Sequence, residues 1–211
     1  MKRQDPILIA SPPRCGTTML AGLLHYHGYW IGRGRVSRYS HTNVNFASEN
    51  IDIKDVMKRE AERLNYKNWH LPLPDKNLLK GTKSKIEKFV PHNEPWLVKT
   101  SWTLVFWKFW IEAYPEALWL FPDRSPEKVL DSMNRHPAMA RRSDEQKTRF
   151  IDALFATREE LKKHAKHWHQ INVEKLVDKD EFEIKTLFEF IGIEPNATTI
   201  SQWMKPNMLK R

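Results

Sequence analysis

Residues 6–24 constrain the fold of this chain more than any other stretch of the sequence. Residues 6–10 read Pro-Ile-Leu-Ile-Ala, as in a short buried strand, and residues 19–24 form an apolar run typical of a helix. Between them lies Ser-Pro-Pro-Arg-Cys-Gly-Thr-Thr. A strand that turns through glycine and hydroxyl residues into a helix directs main-chain N–H groups and the positive helix end at one point. The segment therefore predicts an anion-binding loop, suited to phosphate or sulfate, after the first strand.

Nucleoside triphosphatases carry a loop of the same length, with glycine first and Gly-Lys-Ser/Thr last. Here Ser11 takes the place of that first glycine and Thr17 takes the place of the lysine, so the cation that contacts the outer phosphates is missing. Arg14 is the replacement candidate, because a guanidinium can bind two phosphate or sulfonate oxygens at once and keeps its charge. The loop thus suggests a phosphate-bearing donor handled without lysine and magnesium. A purely structural turn, with Thr17 or Thr18 capping the helix, is the alternative at this point.

A second strand-to-helix junction follows later in the chain. Residues 117–121 read Ala-Leu-Trp-Leu-Phe and predict a buried strand, while Ser125 and Pro126 predict the N-cap and first residue of a helix. Arg124 lies at that start, and Ser132 lies about two helical turns further along. Both side chains can face one phosphate group. An exposed cation and a solvated serine would be the ordinary alternative.

Together the two segments resemble the sulfotransferases that use 3′-phosphoadenosine 5′-phosphosulfate (PAPS). That family has a Pro-Arg/Lys-x-Gly-Thr-Thr loop for the 5′-phosphosulfate, and an Arg-x-Pro with a serine eight residues after the arginine for the 3′-phosphate. Residues 13–18 and 124–132 match these two patterns. Four shorter stretches occur in the family's order. Residues 46–53 resemble its acidic segment, and residues 96–100 resemble its middle strand ending in Lys-Thr. Residues 171–177 resemble its late strand, and residues 187–192 resemble its late helix. The resemblance covers about residues 6–195.

The resemblance and the alternation of strand-like and helix-like segments predict the same fold. We expect one sulfotransferase-like domain over residues 1–211. It should be a three-layer α/β fold, with a mostly parallel central sheet, the phosphate-binding loop after the first strand, and helices on both faces. The resemblance implies in-line transfer of a sulfuryl group from PAPS to an acceptor hydroxyl or amine, without a metal, leaving 3′-phosphoadenosine 5′-phosphate (PAP).

The resemblance also assigns roles to residues. It assigns donor binding to Arg14, Cys15, Gly16, Thr17, Thr18, Arg124 and Ser132. Arg14 would also stabilise the departing phosphate, and Lys99 would add charge near the sulfuryl oxygens. The usual base is missing, because Ser101 stands where cytosolic members have a histidine. Glu49 is the first candidate for the base, since a carboxylate beside cations stays ionised. His41 is the second, since its imidazole is neutral near pH 7.

Residues 30–50 contain glycines and arginines with no clean hydrophobic period. We predict a mobile loop here, and loops beyond the carboxyl edge of a sheet usually shape the substrate site in such folds. Its cations would contact an acidic acceptor or close over the nucleotide. A solvated basic loop is the simpler alternative.

Composition limits the compartment and the partners. The chain has 211 residues, short for this family, and a formal net charge of +9, which attracts nucleotides, nucleic acid, acidic lipid and sulfated glycans alike. The single Cys15 excludes an internal disulfide. The sequence shows no signal segment and no apolar run of about 18 residues, so we expect a cytoplasmic protein without a membrane anchor. The acceptor would be a small molecule, a glycan or a peptide.

Other classes of function remain open from the sequence. A phosphate-loop kinase or triphosphatase would require magnesium-dependent ATP binding, and would leave Arg124 and Ser132 unexplained. A basic nucleic-acid-binding domain would lose affinity steeply with salt and need no nucleotide donor. A relative that binds the nucleotide but has lost transfer is a third possibility, given Ser101.

Overall fold

The computed structural model describes residues 5–32, 34–36, 47–66, 81–136, 139 and 141–204. Its strands are β1 (Ile7–Ile9), β2 (Gly34–Val36), β3 (Ala47–Asn50), β4 (Leu97–Lys99), β5 (Leu118–Asp123) and β6 (His167–Asn172). Its helices are α1 (Thr17–His25), α2 (Ile51–Arg63), α3 (Thr82–Glu87), α4 (Trp107–Ala113), α5 (Pro126–Asn134), α6 (Asp144–Lys162), α7 (Val173–Val177), α8 (Glu181–Ile191) and α9 (Ala197–Trp203). Within these ranges, no helix has both the length and the apolar character needed to cross a membrane.

The central sheet is parallel, with strand order β4-β1-β5-β6. Ile7 of β1 pairs with Leu97 of β4 on one side and Leu118 of β5 on the other. The carboxyl ends of these strands therefore meet at one edge. Among the strands of this sheet, β1 is followed along the chain by β4 on one side of it and then by β5 on its other side. The strand order therefore reverses at β1, and such a point forms the crevice in which α/β proteins usually bind ligands. The predicted mostly parallel sheet is confirmed.

Helices cover both faces of the sheet, because successive strand residues point to opposite sides. Leu8 of β1 belongs to a core formed with α2 to α6, and its neighbours Ile7 and Ile9 belong to a second core formed with α1, α7, α8 and α9. All three side chains are almost fully buried. The predicted three-layer arrangement is therefore confirmed.

Two local predictions were wrong. The late strand expected over residues 171–177 ends at Asn172, because its side-chain oxygen accepts the Lys175 N–H and starts α7 as an N-cap. The expected loop over residues 30–50 contains β2 and β3, which pair in antiparallel fashion. Strands of three and four residues are too short to show a hydrophobic period. Residues 33 and 37–46 of this segment lie outside the described ranges.

Candidate functional site

The loop between β1 and α1 is shaped by two residues in the left-handed region. Arg14 has φ 73° and Gly16 has φ 77°. Gly16 is the N-cap of α1, and no side chain in the described part of the chain caps this helix. The first N–H groups of a helix have no acceptor within it, and they lie at the positive end of the helix dipole. The start of α1 thus has the geometry of an anion site, as the sequence predicts.

Hydrogen bonds join the loop to the β5–α5 junction. Ser11 Oγ donates to the carbonyl of Pro122, and Arg124 Nη1 donates to the carbonyl of Arg14 at 3.4 Å. Arg14 Nε donates to Ser132 Oγ at 3.0 Å. The two segments that the sequence singled out separately therefore form one continuous site.

Positive charge is concentrated at this junction. Burial is the main cause that lowers the pKa of Arg14, and the nearby charges of Arg124 and Arg135 lower it further. An arginine side chain stays protonated in proteins even so. The positive charges of three guanidinium groups thus lie close together at this junction. Such a concentration of positive charge favours a ligand that carries more than one negative charge.

Glu49 lies at the end of β3 among cations. Its Oε1 accepts the Ser101 N–H at 3.2 Å and lies 4.0 Å from Lys99 Nζ, while its Oε2 accepts a hydrogen bond from Lys54 Nζ. Burial lowers the pKa of Lys99 to about 8, and the Glu49 carboxylate opposes this shift. The arrangement fixes a carboxylate between two ammonium groups.

A cleft of about 470 Å³ is lined by Arg14 and the start of α1 on one side and by the residues around Glu49 on the other. Its polar side is formed by Arg14, Thr17, Thr18, Glu49, Lys54 and Lys99. Its apolar side includes Leu104, Met139 and Leu154. A helix start with the geometry of an anion site, a carboxylate and an apolar surface therefore share one cavity, which has room for an anionic group beside an apolar one.

A family model described as "Sulfotransferase family" matches residues 6–197. The chain belongs to the sulfotransferase family. A comparison with curated proteins finds no match.

Several solved structures share the fold of this sulfotransferase. The sulfotransferase domain from the curacin biosynthetic pathway is 14% identical with a TM-score of 0.56, and the match covers 100% of this chain and 87% of that one. The sulfotransferase domain of the Synechococcus PCC 7002 olefin synthase is 15% identical with a TM-score of 0.53, and the match covers 100% of this chain and 84% of that one. Sulfotransferase STF1 from Mycobacterium tuberculosis H37Rv is 14% identical with a TM-score of 0.58, and the match covers 96% of this chain and 71% of that one.

Two predicted site residues, Cys15 and His41, are not among the described side chains that line the cleft. The Cys15 side chain is completely buried in the core of the sulfotransferase, and burial raises the pKa of its thiol to about 12. Only the main chain of Cys15 is therefore available to a ligand in the loop. His41 lies outside the described residues.

Three residues of the candidate site were not predicted from the sequence. Lys54 binds Glu49 from the first turn of α2, and the helix that starts just after Glu49 was the available signal. His136 lines the cleft, where burial and then the charge of Arg14 lower the pKa of its imidazole. Glu174 lies 3.6 Å from Arg124. Nothing in the sequence pairs Glu174 with Arg124, because these two residues are brought together only by the neighbouring ends of β5 and β6.

Proposed function

We propose that this sulfotransferase transfers a sulfuryl group from PAPS to an acceptor hydroxyl or amine. The observation that supports this most is the Arg14–Ser132 hydrogen bond, which joins the two segments predicted to bind phosphate. The phosphate loop of an ordinary triphosphatase does not require the second segment, which contains Arg124 and Ser132. A donor with phosphates at both its 5′ and 3′ positions requires both.

The donor would lie along the carboxyl edge of the sheet. The N–H groups and hydroxyls of residues 16–18 would bind its 5′-phosphate at the start of α1. Arg124 and Ser132 would bind its 3′-phosphate, since Ser132 lies on α5 and Arg124 lies just before that helix. Arg14 contacts both segments and would therefore stabilise the charge on the departing phosphate.

Glu49 is the proposed base of the transfer. It lies in the same cleft as Arg14, and it would accept the acceptor's proton as the acceptor oxygen or nitrogen bonds to sulfur and the bond from sulfur to the phosphate oxygen breaks. Lys99, 4.0 Å from this carboxylate, would offset the negative charge on the sulfuryl oxygens. The apolar side of the cleft favours an acceptor that presents its hydroxyl or amine from an apolar body.

The donor site is tested by calorimetric titration with PAP, ADP and magnesium ATP. PAP is expected to bind in the micromolar range and more tightly than either of the others. Arg124→Ala should weaken PAP binding about 10- to 150-fold, since a hydrogen bond to a charged group contributes about 1.5–3 kcal/mol, and should leave ADP unaffected. Arg149→Ala, which removes an exposed arginine of α6, is the control. PAP binding no tighter than that of ADP would refute the proposal.

The pH dependence of transfer tests the role of Lys99. Because burial penalises its ammonium form, Lys99 should lose its proton at about pH 8 instead of 10.5. If its charge assists transfer, kcat/KM should fall as the pH rises through about 8. Lys99→Arg should move this fall to higher pH, because arginine keeps its charge, whereas Lys185→Arg on α8 should not. A wild-type profile that stays flat from pH 7 to 9.5 would exclude this role.

A further inference from the structure

Glu174 is an acidic residue at the site where the proposed function places a phosphate. It lies in the first turn of α7, with its Oε1 3.6 Å from Arg124 Nε. Its Oε2 accepts a hydrogen bond from Lys128 Nζ. The Arg124 side chain is only 8% exposed, whereas that of Glu174 is 37% exposed. A partly exposed carboxylate thus serves as counter-ion for a buried guanidinium.

Both cations lie at the start of α5, the end of a helix that attracts anions. A buried guanidinium requires a counter-ion, because isolated charge is costly away from water. Glu174 meets this need within the chain itself. A phosphate bound by Arg124 would meet the same need, and two anions side by side repel each other. The carboxylate and the phosphate therefore compete for the same cations.

Helix α7 packs closely on the loop, whereas the Glu174 side chain is partly exposed. Val173, just before Glu174, is completely buried against the loop. A Cβ on Gly16 would lie 2.4 Å from Val173 Cγ1, which shows how closely α7 approaches the loop. Exchange of the two anions thus requires only rotation of one partly exposed side chain.

We propose that Glu174 is an internal counter-ion that the donor's 3′-phosphate displaces. It weakens the binding of 3′-phosphorylated nucleotides and accelerates the release of PAP after transfer. The inference rests on the proposed function, because it takes the Arg124 end of the site as the 3′-phosphate position. A residue that merely positioned Arg124 would strengthen binding instead, so the sign of the effect separates the two roles.

The test compares PAP with adenosine 5′-monophosphate, which lacks the 3′-phosphate, on the parent and on Glu174→Gln. The variant should bind PAP about 3- to 10-fold more tightly, as expected for the loss of ion pairs that are partly exposed. Its affinity for the monophosphate should change less than twofold. In stopped-flow experiments, PAP should dissociate more slowly from the variant by a similar factor. Glu174→Ala should act in the same direction and guards against an effect specific to glutamine.

Glu181→Gln is the matched control, because it removes the same charge from an exposed position at the start of α8. It should change both affinities little. Unchanged or weaker PAP binding in both Glu174 variants would overturn the inference while leaving the proposed function intact. If the parent itself binds PAP no better than the monophosphate, the proposed function fails first.

Discussion

Replacing Glu49 with glutamine is expected to lower kcat about 100- to 10,000-fold, the usual contribution of a general base. An amide of the same size cannot accept the proton of the acceptor. PAP affinity should change less than twofold, since Glu49 contacts Ser101, Lys99 and Lys54 rather than Arg124 or Ser132. Single-turnover rates together with PAP titrations separate the two effects.

The same substitution also alters Lys99, and the assay has to allow for this. The Glu49 carboxylate raises the pKa of Lys99 against the effect of burial. Without that carboxylate, the pKa should fall below about 8, and part of the lost rate at pH 8 would come from an uncharged lysine. Rates should therefore be compared across pH 6 to 8. Because lower pH favours the charged lysine, a loss that does not shrink as the pH is lowered to 6 is the contribution of Glu49 itself.

Glu94→Gln is the control for the loss of one negative charge, because Glu94 is an exposed residue ahead of β4. It should leave the rate unchanged. Thermal unfolding of both variants shows whether either has lost structure. If Glu49→Gln keeps full activity, Glu49 is not the base. His136 would then be tested next, since its imidazole lines the same cleft and its lowered pKa favours the neutral form.

The parts of the site that follow from local chemistry could be predicted from the sequence. Gly16 adopts the left-handed conformation that a tight turn requires, and Ser125 caps α5 with Pro126 at its first position. Each of these signals depends on a few adjacent residues. The parallel sheet could also be predicted, because the buried strands alternate with helices along the chain.

The contacts between segments could not be predicted. The sequence placed Arg14 with the 5′-phosphate and Ser132 with the 3′-phosphate, but did not show that these side chains bind each other. That contact depends on β5 lying directly beside β1, which no local pattern encodes. Likewise, Glu174 reaches Arg124 only because β6 is the next strand after β5.

Gly16→Ala is expected to be the most destabilising single change in the loop between β1 and α1. Alanine is strained at φ 77°, and a left-handed residue costs about 1–2 kcal/mol. Its Cβ would also lie 2.4 Å from the buried Val173 side chain, and overpacking of this kind costs about 1–3 kcal/mol more. Urea denaturation should show a loss of about 2–5 kcal/mol in unfolding free energy. PAP binding should weaken as well, because any shift that relieves the clash moves the N–H groups at the start of α1.

Gly28→Ala separates the two costs, because Gly28 also has a positive φ, 94°, and a Cβ there would meet no described atom within 4 Å. It should lose only the roughly 1–2 kcal/mol of backbone strain. Val173→Ala in the Gly16→Ala background should recover part of the additional loss, so that the two substitutions cost less together than the sum of each alone. Equal losses for Gly16→Ala and Gly28→Ala would contradict the close packing of α7 on the loop. Because Glu174 directly follows Val173 on α7, the result also bears on how closely the proposed donor site and α7 are packed together.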